Sequence, residues 1–212
     1  MKNIKEILQK EKLVAVIRTS SIDKALLTIK ACLEGGFKFI EITFTIPDVE
    51  KVLQEVDKIK KTYNCIIGAG TVMNINQAKL AYKYQCDFIV SPNFSIDISN
   101  FCLEKNLLYI PGAMTINEIT TINKQGWDLI KLFPANNFEK NFINTLKGPL
   151  PDIEVMPTGG VDLDNFIFWL NGGAFACGIG NHLSNLIEDN DDYKGTIALA
   201  RKYIEKVNKW ES

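Results

Sequence analysis

Histidine is almost absent from this chain: His182 is the only one in 212 residues. A Ser–His relay is therefore excluded anywhere away from position 182. Zinc sites draw on several histidines or on close cysteine pairs. The five cysteines, Cys32, Cys65, Cys86, Cys102 and Cys177, contain no C-x-x-C spacing. No metal and no cofactor is expected. An odd number of scattered cysteines reads as free thiols in a reducing compartment. An excess of one charge is also lacking. With 24 basic and 25 acidic side chains the net charge is -1, so no bulk field draws nucleic acid or an anionic membrane. No apolar run approaches the roughly 20 residues of a membrane span. The N-terminal Lys2, Lys5, Glu6, Lys10, Glu11 and Lys12 precede only the short run Leu13-Val14-Ala15-Val16-Ile17. That is no signal peptide, and a cytoplasmic protein is expected. Low-complexity tracts and composition breaks are missing too, so residues 1–212 read as one domain.

What is present is a rhythm. Residues 1 to 12 read as a short amphipathic helix, with Ile4, Ile7 and Leu8 on one face. Apolar, strand-like runs then fall near 13–18, 38–44, 65–70, 87–91, 107–111, 128–133, 153–157 and 174–178. Segments of helical spacing separate them, and Gly35-Gly36 and Gly172-Gly173 close two of these as helix C-caps do. A last helix is expected over about 192 to 210. Alternating strands and helices imply parallel pairing with right-handed crossovers. Eight such units predict a closed (β/α)8 TIM barrel behind a short N-terminal helix. A doubly wound open sheet fits less well, because no G-x-G-x-x-G opens the helix after the first strand.

Within the run Trp127-Asp128-Leu129-Ile130-Lys131-Leu132-Phe133-Pro134, alternation puts Leu129, Lys131 and Phe133 on one face of a buried strand. An ammonium is costly to bury there. An uncharged amine in such a place is a nucleophile that can form a Schiff base with a ketone. The competing readings are a lysine that snorkels out or one paired with a buried carboxylate. In Phe39-Ile40-Glu41-Ile42-Thr43-Phe44 the apolar Ile40, Ile42 and Phe44 face the helices, so Glu41 points inward. Lys131 and Glu41 together suggest imine chemistry with a carboxyl group moving protons, or else a structural ion pair. Barrel chemistry sits at the C-terminal ends of the strands. There, Thr158-Gly159-Gly160 and Gly178-Ile179-Gly180-Asn181 form two adjacent glycine-rich turns suited to an anion. Arg18, ending the first strand, can supply positive charge.

These segments resemble the 2-keto-3-deoxy-6-phosphogluconate (KDPG) aldolases, including the bifunctional enzymes that also act on 4-hydroxy-2-oxoglutarate (KHG). The resemblance runs through Val14–Arg18, Ile40–Thr43, Ile67–Val72, Val90–Pro92, Ile110–Gly112, Ile130–Ala135 and Pro157–Val161. It implies a class I aldolase that needs no metal and cleaves a phosphorylated 2-keto-3-deoxy acid to pyruvate and glyceraldehyde 3-phosphate. Lys131 would be the Schiff-base lysine and Glu41 the general acid/base. Thr71 and Pro92 would line the pyruvyl half, with Phe133 beside the imine. Arg18, Thr158, Gly159, Gly160, Gly180 and Asn181 would serve substrate binding, toward the phosphate end. The family is typically trimeric, so self-association is implied.

Two positions depart from the pattern. Thr45 stands where many members carry an arginine that contacts the substrate carboxylate, an arginine also missing from phosphogalactonate-type aldolases. Carboxylate binding then falls to Thr71, backbone donors or Arg18. Asn181 stands where many have serine. His182, next in sequence, reads as a rim residue without a role. The residues alone also admit a phosphosugar isomerase or epimerase, with Glu41 as base and no imine, and a non-catalytic metabolite-binding barrel.

Overall fold

The structure, a computed structural model, describes residues 2–139 and 141–211. Helix α1 (Lys2–Glu11) leads into β1 (Leu13–Ile17), α2 (Ile22–Glu34) and β2 (Phe39–Thr43). Two short helices, α3 (Val49–Leu53) and α4 (Val56–Tyr63), precede β3 (Ile66–Gly70). Then come α5 (Ile75–Lys83), β4 (Phe88–Val90), α6 (Ile96–Glu104), β5 (Leu108–Ile110), β6 (Gly112–Ala113), α7 (Ile116–Lys124) and β7 (Leu129–Leu132). The chain continues through α8 (Phe142–Lys147), β8 (Glu154–Pro157), α9 (Phe166–Asn171), β9 (Cys177–Ile179), α10 (Asn181–Asn190) and α11 (Tyr193–Glu211).

The expected strands and helices form, but the closed eight-stranded barrel does not. The strands make two parallel sheets, one of six in the order β5-β4-β3-β2-β1-β9 and one of three in the order β6-β7-β8. The breaks coincide with prolines, which have no N–H to donate to a ladder. Pro111 splits the expected fifth strand into β5, paired with β4, and β6, paired with β7. Pro157 ends β8, and beyond it the two sheets are linked by an isolated Thr158–Gly178 bridge and by single backbone bonds such as Phe175 N to Val155 O at 2.8 Å, not by a continuous ladder among the described residues.

Alternation along the strands divides the core as the sequence suggests. One side chain set, including Val14, Val16, Phe39, Phe88, Ile110, Leu129 and Met156, forms an inner cluster. The other, including Ala15, Ile40, Ile42, Ile67, Ile130 and Leu132, packs against the helices. Helix α1 sets Leu8 fully buried on the inner cluster, with Ile4 and Ile7 beside it. Helix starts are set locally. Ser21 and Asn74 accept from the backbone at Lys24 and Gln77, and Thr115 with Glu118 makes a reciprocal capping box on α7. Gly36, at φ +107, carries the chain out of α2 in the left-handed region that favours glycine.

Candidate active site

Lys131 lies on β7 with 4% of its surface exposed, and Glu41 lies on β2 with none. Ninety residues apart in sequence, they meet inside the fold: Lys131 Nζ donates to Glu41 Oε1 at 3.3 Å. The other carboxylate oxygen, Oε2, is buried with no hydrogen-bond partner. Glu41 fits because the neighbouring strand offers glycine there. A Cβ at Gly70 would fall onto Glu41 Oε1 and Cγ.

Lys131 opens onto a cavity of about 640 Å³ at the C-terminal ends of the strands. Arg18, Thr71, Pro92, Phe133, Thr158, Gly159, Gly160, Gly180 and Asn181 all line it with Lys131. Glu41 does not line it and lies behind the lysine. Of the residues named from the sequence, ten line one cavity, and Glu41 joins them only through its contact with Lys131. The sequence reading missed Val16, Val161, Asp162 and His182, which line the cavity as well. For His182 a signal was available, since it directly follows Asn181.

At the lysine end, the Phe133 ring centroid lies 5.4 Å from Lys131 Nζ, a cation–π distance. Arg18 Nη2 donates to Thr71 Oγ1 at 3.3 Å. Thr71 follows β3 at φ +53, a conformation that costs a β-branched residue about 1–3 kcal/mol and recurs at functional sites. Thr45, at the position of the absent arginine, pairs its hydroxyl with that of Thr43 at 2.9 Å, and Thr43 is bonded to the Ile17 carbonyl at 2.8 Å.

Beside the Phe133 ring, Gly159 and its neighbour Gly160 adopt φ +90 and +76. A side chain at Gly160 would press on Asn136 Cβ at 2.6 Å. The carbonyls of Thr158, Gly159 and Gly160 accept from Ala135 N, Asn136 N and Asn165 Nδ2 at 2.9, 3.1 and 2.8 Å. The Thr158 N–H donates to the Leu132 carbonyl at 3.0 Å, so the N–H groups of the two glycines are the turn's donors toward an anion. Thr158 is 5% exposed, and its Oγ1 has no partner. It packs against Gly178, where any Cβ would collide with that oxygen. Among the described residues no group of three His, Cys, Asp or Glu side chains could hold a metal ion, and no helix is long and apolar enough to cross a membrane.

The cavity therefore combines a buried amine, backed by a buried carboxylate, with an anion-suited turn. The sequence is similar to known proteins along most of its length. It is 32% identical over 174 residues to the 2-dehydro-3-deoxy-6-phosphogalactonate aldolase of Escherichia coli K12, spanning 81% of this chain and 83% of that one. It is 27% identical to the KHG/KDPG aldolase of the same organism, over 91% and 90% of the two chains. A solved structure described as native KDPGal superposes with a TM-score of 0.84 at 27% identity, over 94% of this chain and 95% of that one. The sequence profile of the KDPG and KHG aldolases matches residues 4–198, and the chain belongs to that family.

Proposed function

We propose that this protein is a class I aldolase that cleaves 2-dehydro-3-deoxy-6-phosphogluconate to pyruvate and glyceraldehyde 3-phosphate, and that it also accepts 4-hydroxy-2-oxoglutarate. The observation that carries the reading is the buried amine of Lys131, 3.3 Å from the buried carboxylate of Glu41, at the floor of a cavity that a glycine turn also lines. Lys131 Nζ adds to the C2 ketone, and the carbinolamine loses water to give an imine. The C3–C4 bond then breaks as the C4 hydroxyl gives up its proton. The aldehyde leaves, and the electron pair is held as an enamine. Protonation at C3 and hydrolysis release pyruvate and free Lys131. Glu41 moves the protons of the carbinolamine, a role its contact with Nζ supports. Arg18 and Thr71 receive the carboxylate of the pyruvyl half, Pro92 and Phe133 flank it, and Thr158 faces the aldehyde half. Gly159, Gly160, Gly180 and Asn181 hold the phosphate.

The epimeric phosphogalactonate acid is a second substrate reading. It is favoured by Thr45 in the arginine position and by the 32% identity to the phosphogalactonate aldolase. The protein is proposed to act in the cytoplasm as a single domain that assembles into trimers. Met73, Ile96, Met114 and Ile116, each 40–50% exposed on segments that follow neighbouring strands, give such an assembly an apolar surface.

Borohydride reduces an imine to a stable amine, so intact mass after incubation with pyruvate and borohydride tests the reading. A pyruvate adduct is expected in the wild type and not in Lys131→Met. A folded wild type with no adduct would refute the aldolase reading.

A further inference from the structure

We propose that His182 is a ligand of the substrate's terminal phosphate and sets a preference for phosphorylated over unphosphorylated keto acids. The proposal rests on the aldolase reading for the identity of the cavity, and it extends that site to a residue the resemblance leaves without a role.

His182 is the second residue of α10 and lines the same cavity as Gly159, Gly160 and Asn181. Its ring is held from behind. Nδ1 lies 2.6 Å from Tyr203 Oη, and the two rings meet edge to face at 5.8 Å. Tyr203 has no exposed surface and is wedged between Phe37 and Phe166, with ring centroids 6.1 and 5.3 Å away. It is therefore a fixed anchor for the imidazole.

That anchor occupies Nδ1 and leaves Nε2 as the ring nitrogen for a ligand. Burial, helped by the Asp162 and Asp164 carboxylates, pushes the ionisation of Tyr203 upward, so its hydroxyl keeps its proton. When the phenol donates to Nδ1, a neutral His182 carries its own proton on Nε2. A charged His182 donates from Nδ1 to the phenol oxygen and still has a proton on Nε2. In each of these two arrangements Nε2 is a donor, as a phosphate requires.

The cavity is lined by two cationic side chains as well. Lys131 is paired with Glu41, and Arg18 reaches Thr71. Asp162 lines the phosphate end too, but its Oδ1 accepts from the backbone of Asp164 and Asn165 at 2.9 and 3.0 Å. His182 thus adds a side-chain donor for the phosphate, alongside the neutral amides of the glycine turn.

The test is calorimetric titration of inorganic phosphate into the wild type, His182→Leu, His182→Gln and Tyr203→Phe, with circular dichroism to confirm folding. His182→Leu is expected to weaken phosphate binding about tenfold, the scale of one charge-assisted hydrogen bond. His182→Gln, which keeps an N–H, restores part of it. Tyr203→Phe, which keeps the ring packing, weakens binding severalfold. In turnover, KM for the phosphorylated acid rises about tenfold in His182→Leu relative to KM for 4-hydroxy-2-oxoglutarate. Wild-type affinity for phosphate in His182→Leu would overturn the proposal, as would a wild type that binds no phosphate. Pyruvate trapping in the wild type reports separately on the aldolase reading. If trapping fails while the phosphate result holds, that reading falls and the anion ligand stands.

Discussion

The tightest constraint on the proposed chemistry is a missing methyl group. Gly70 ends β3 beside Glu41, and an alanine Cβ there would lie 2.6 Å from Glu41 Cδ and closer still to Oε1 and Cγ. Ordinary contact begins near 3.4 Å, so something must yield by about 1 Å, on a potential steep enough to force the move. Glu41 has no exposed surface and cannot swing into solvent at no cost. Two responses are open. If β3 gives way, the cost is overpacking, about 1–3 kcal/mol of stability. If Glu41 gives way, its 3.3 Å contact with Lys131 is lost. A misplacement of 1 Å at a reacting group costs on the order of 10²-fold in rate. The expected result for Gly70→Ala is therefore a folded protein, modestly destabilised, with kcat reduced roughly 100-fold. Steady-state kinetics and thermal unfolding read the two effects separately. Gly126→Ala is the control: its φ is +89, but nothing lies within 4 Å of the added Cβ. It should lower stability and leave kcat alone. The double variant Gly70→Ala/Glu41→Gln should be little slower than Glu41→Gln by itself, because both changes disable one group. A Gly70→Ala enzyme with wild-type kcat would refute the argument that the position of Glu41 matters.

Two further outcomes follow from groups outside the cavity. Burial pushes the thiols of Cys32, Cys86 and Cys102 up to about 12. At pH 8 only about one such thiol in ten thousand is the reactive thiolate. A thiol reagent should leave these three unmodified in the native protein and titrate all five cysteines after unfolding; fast labelling of the native state at all sites would contradict the packing. Backbone N–H groups of Met114 and Thr115 hold the Glu118 carboxyl below its usual range. A lowered folded value contributes stability above the unfolded value near 4.5 and loses it as pH falls through the folded one. Thr115→Ala should cost about 1 kcal/mol at neutral pH, and Glu118→Gln should flatten the stability profile below about pH 4.5; an unchanged unfolding midpoint in both variants would sink the capping assignment.

Much of this was readable in the sequence because it depends on period. Alternation alone turned Lys131 and Glu41 inward on their strands, and the structure brings the two side chains into contact. Alternation could not give the contact itself, which depends on Gly70, a residue whose importance lies in an absent side chain. Closure was misjudged for a related reason. Counting strand-like runs finds eight, but a barrel needs hydrogen bonds across every seam, and Pro111 and Pro157 bring no N–H to two of them. The prolines were visible, but their consequence depends on which neighbour each strand must reach. Arg18 shows the same limit at the level of one side chain. β1 lies between β2 and β9, so the arginine could reach toward either glycine-rich turn or toward Thr71, and only packing sends it to Thr71. His182 was passed over because its partner, Tyr203, lies 21 residues away on α11. His182 is exposed, as a rim residue should be, and only the buried phenol behind its ring shows that the imidazole is held in place. The carboxylate and phosphate ends of the site thus differ in how they are specified. The placement of Lys131 is fixed by strand pattern, whereas the placement of His182 is fixed by helix packing that no local pattern reports.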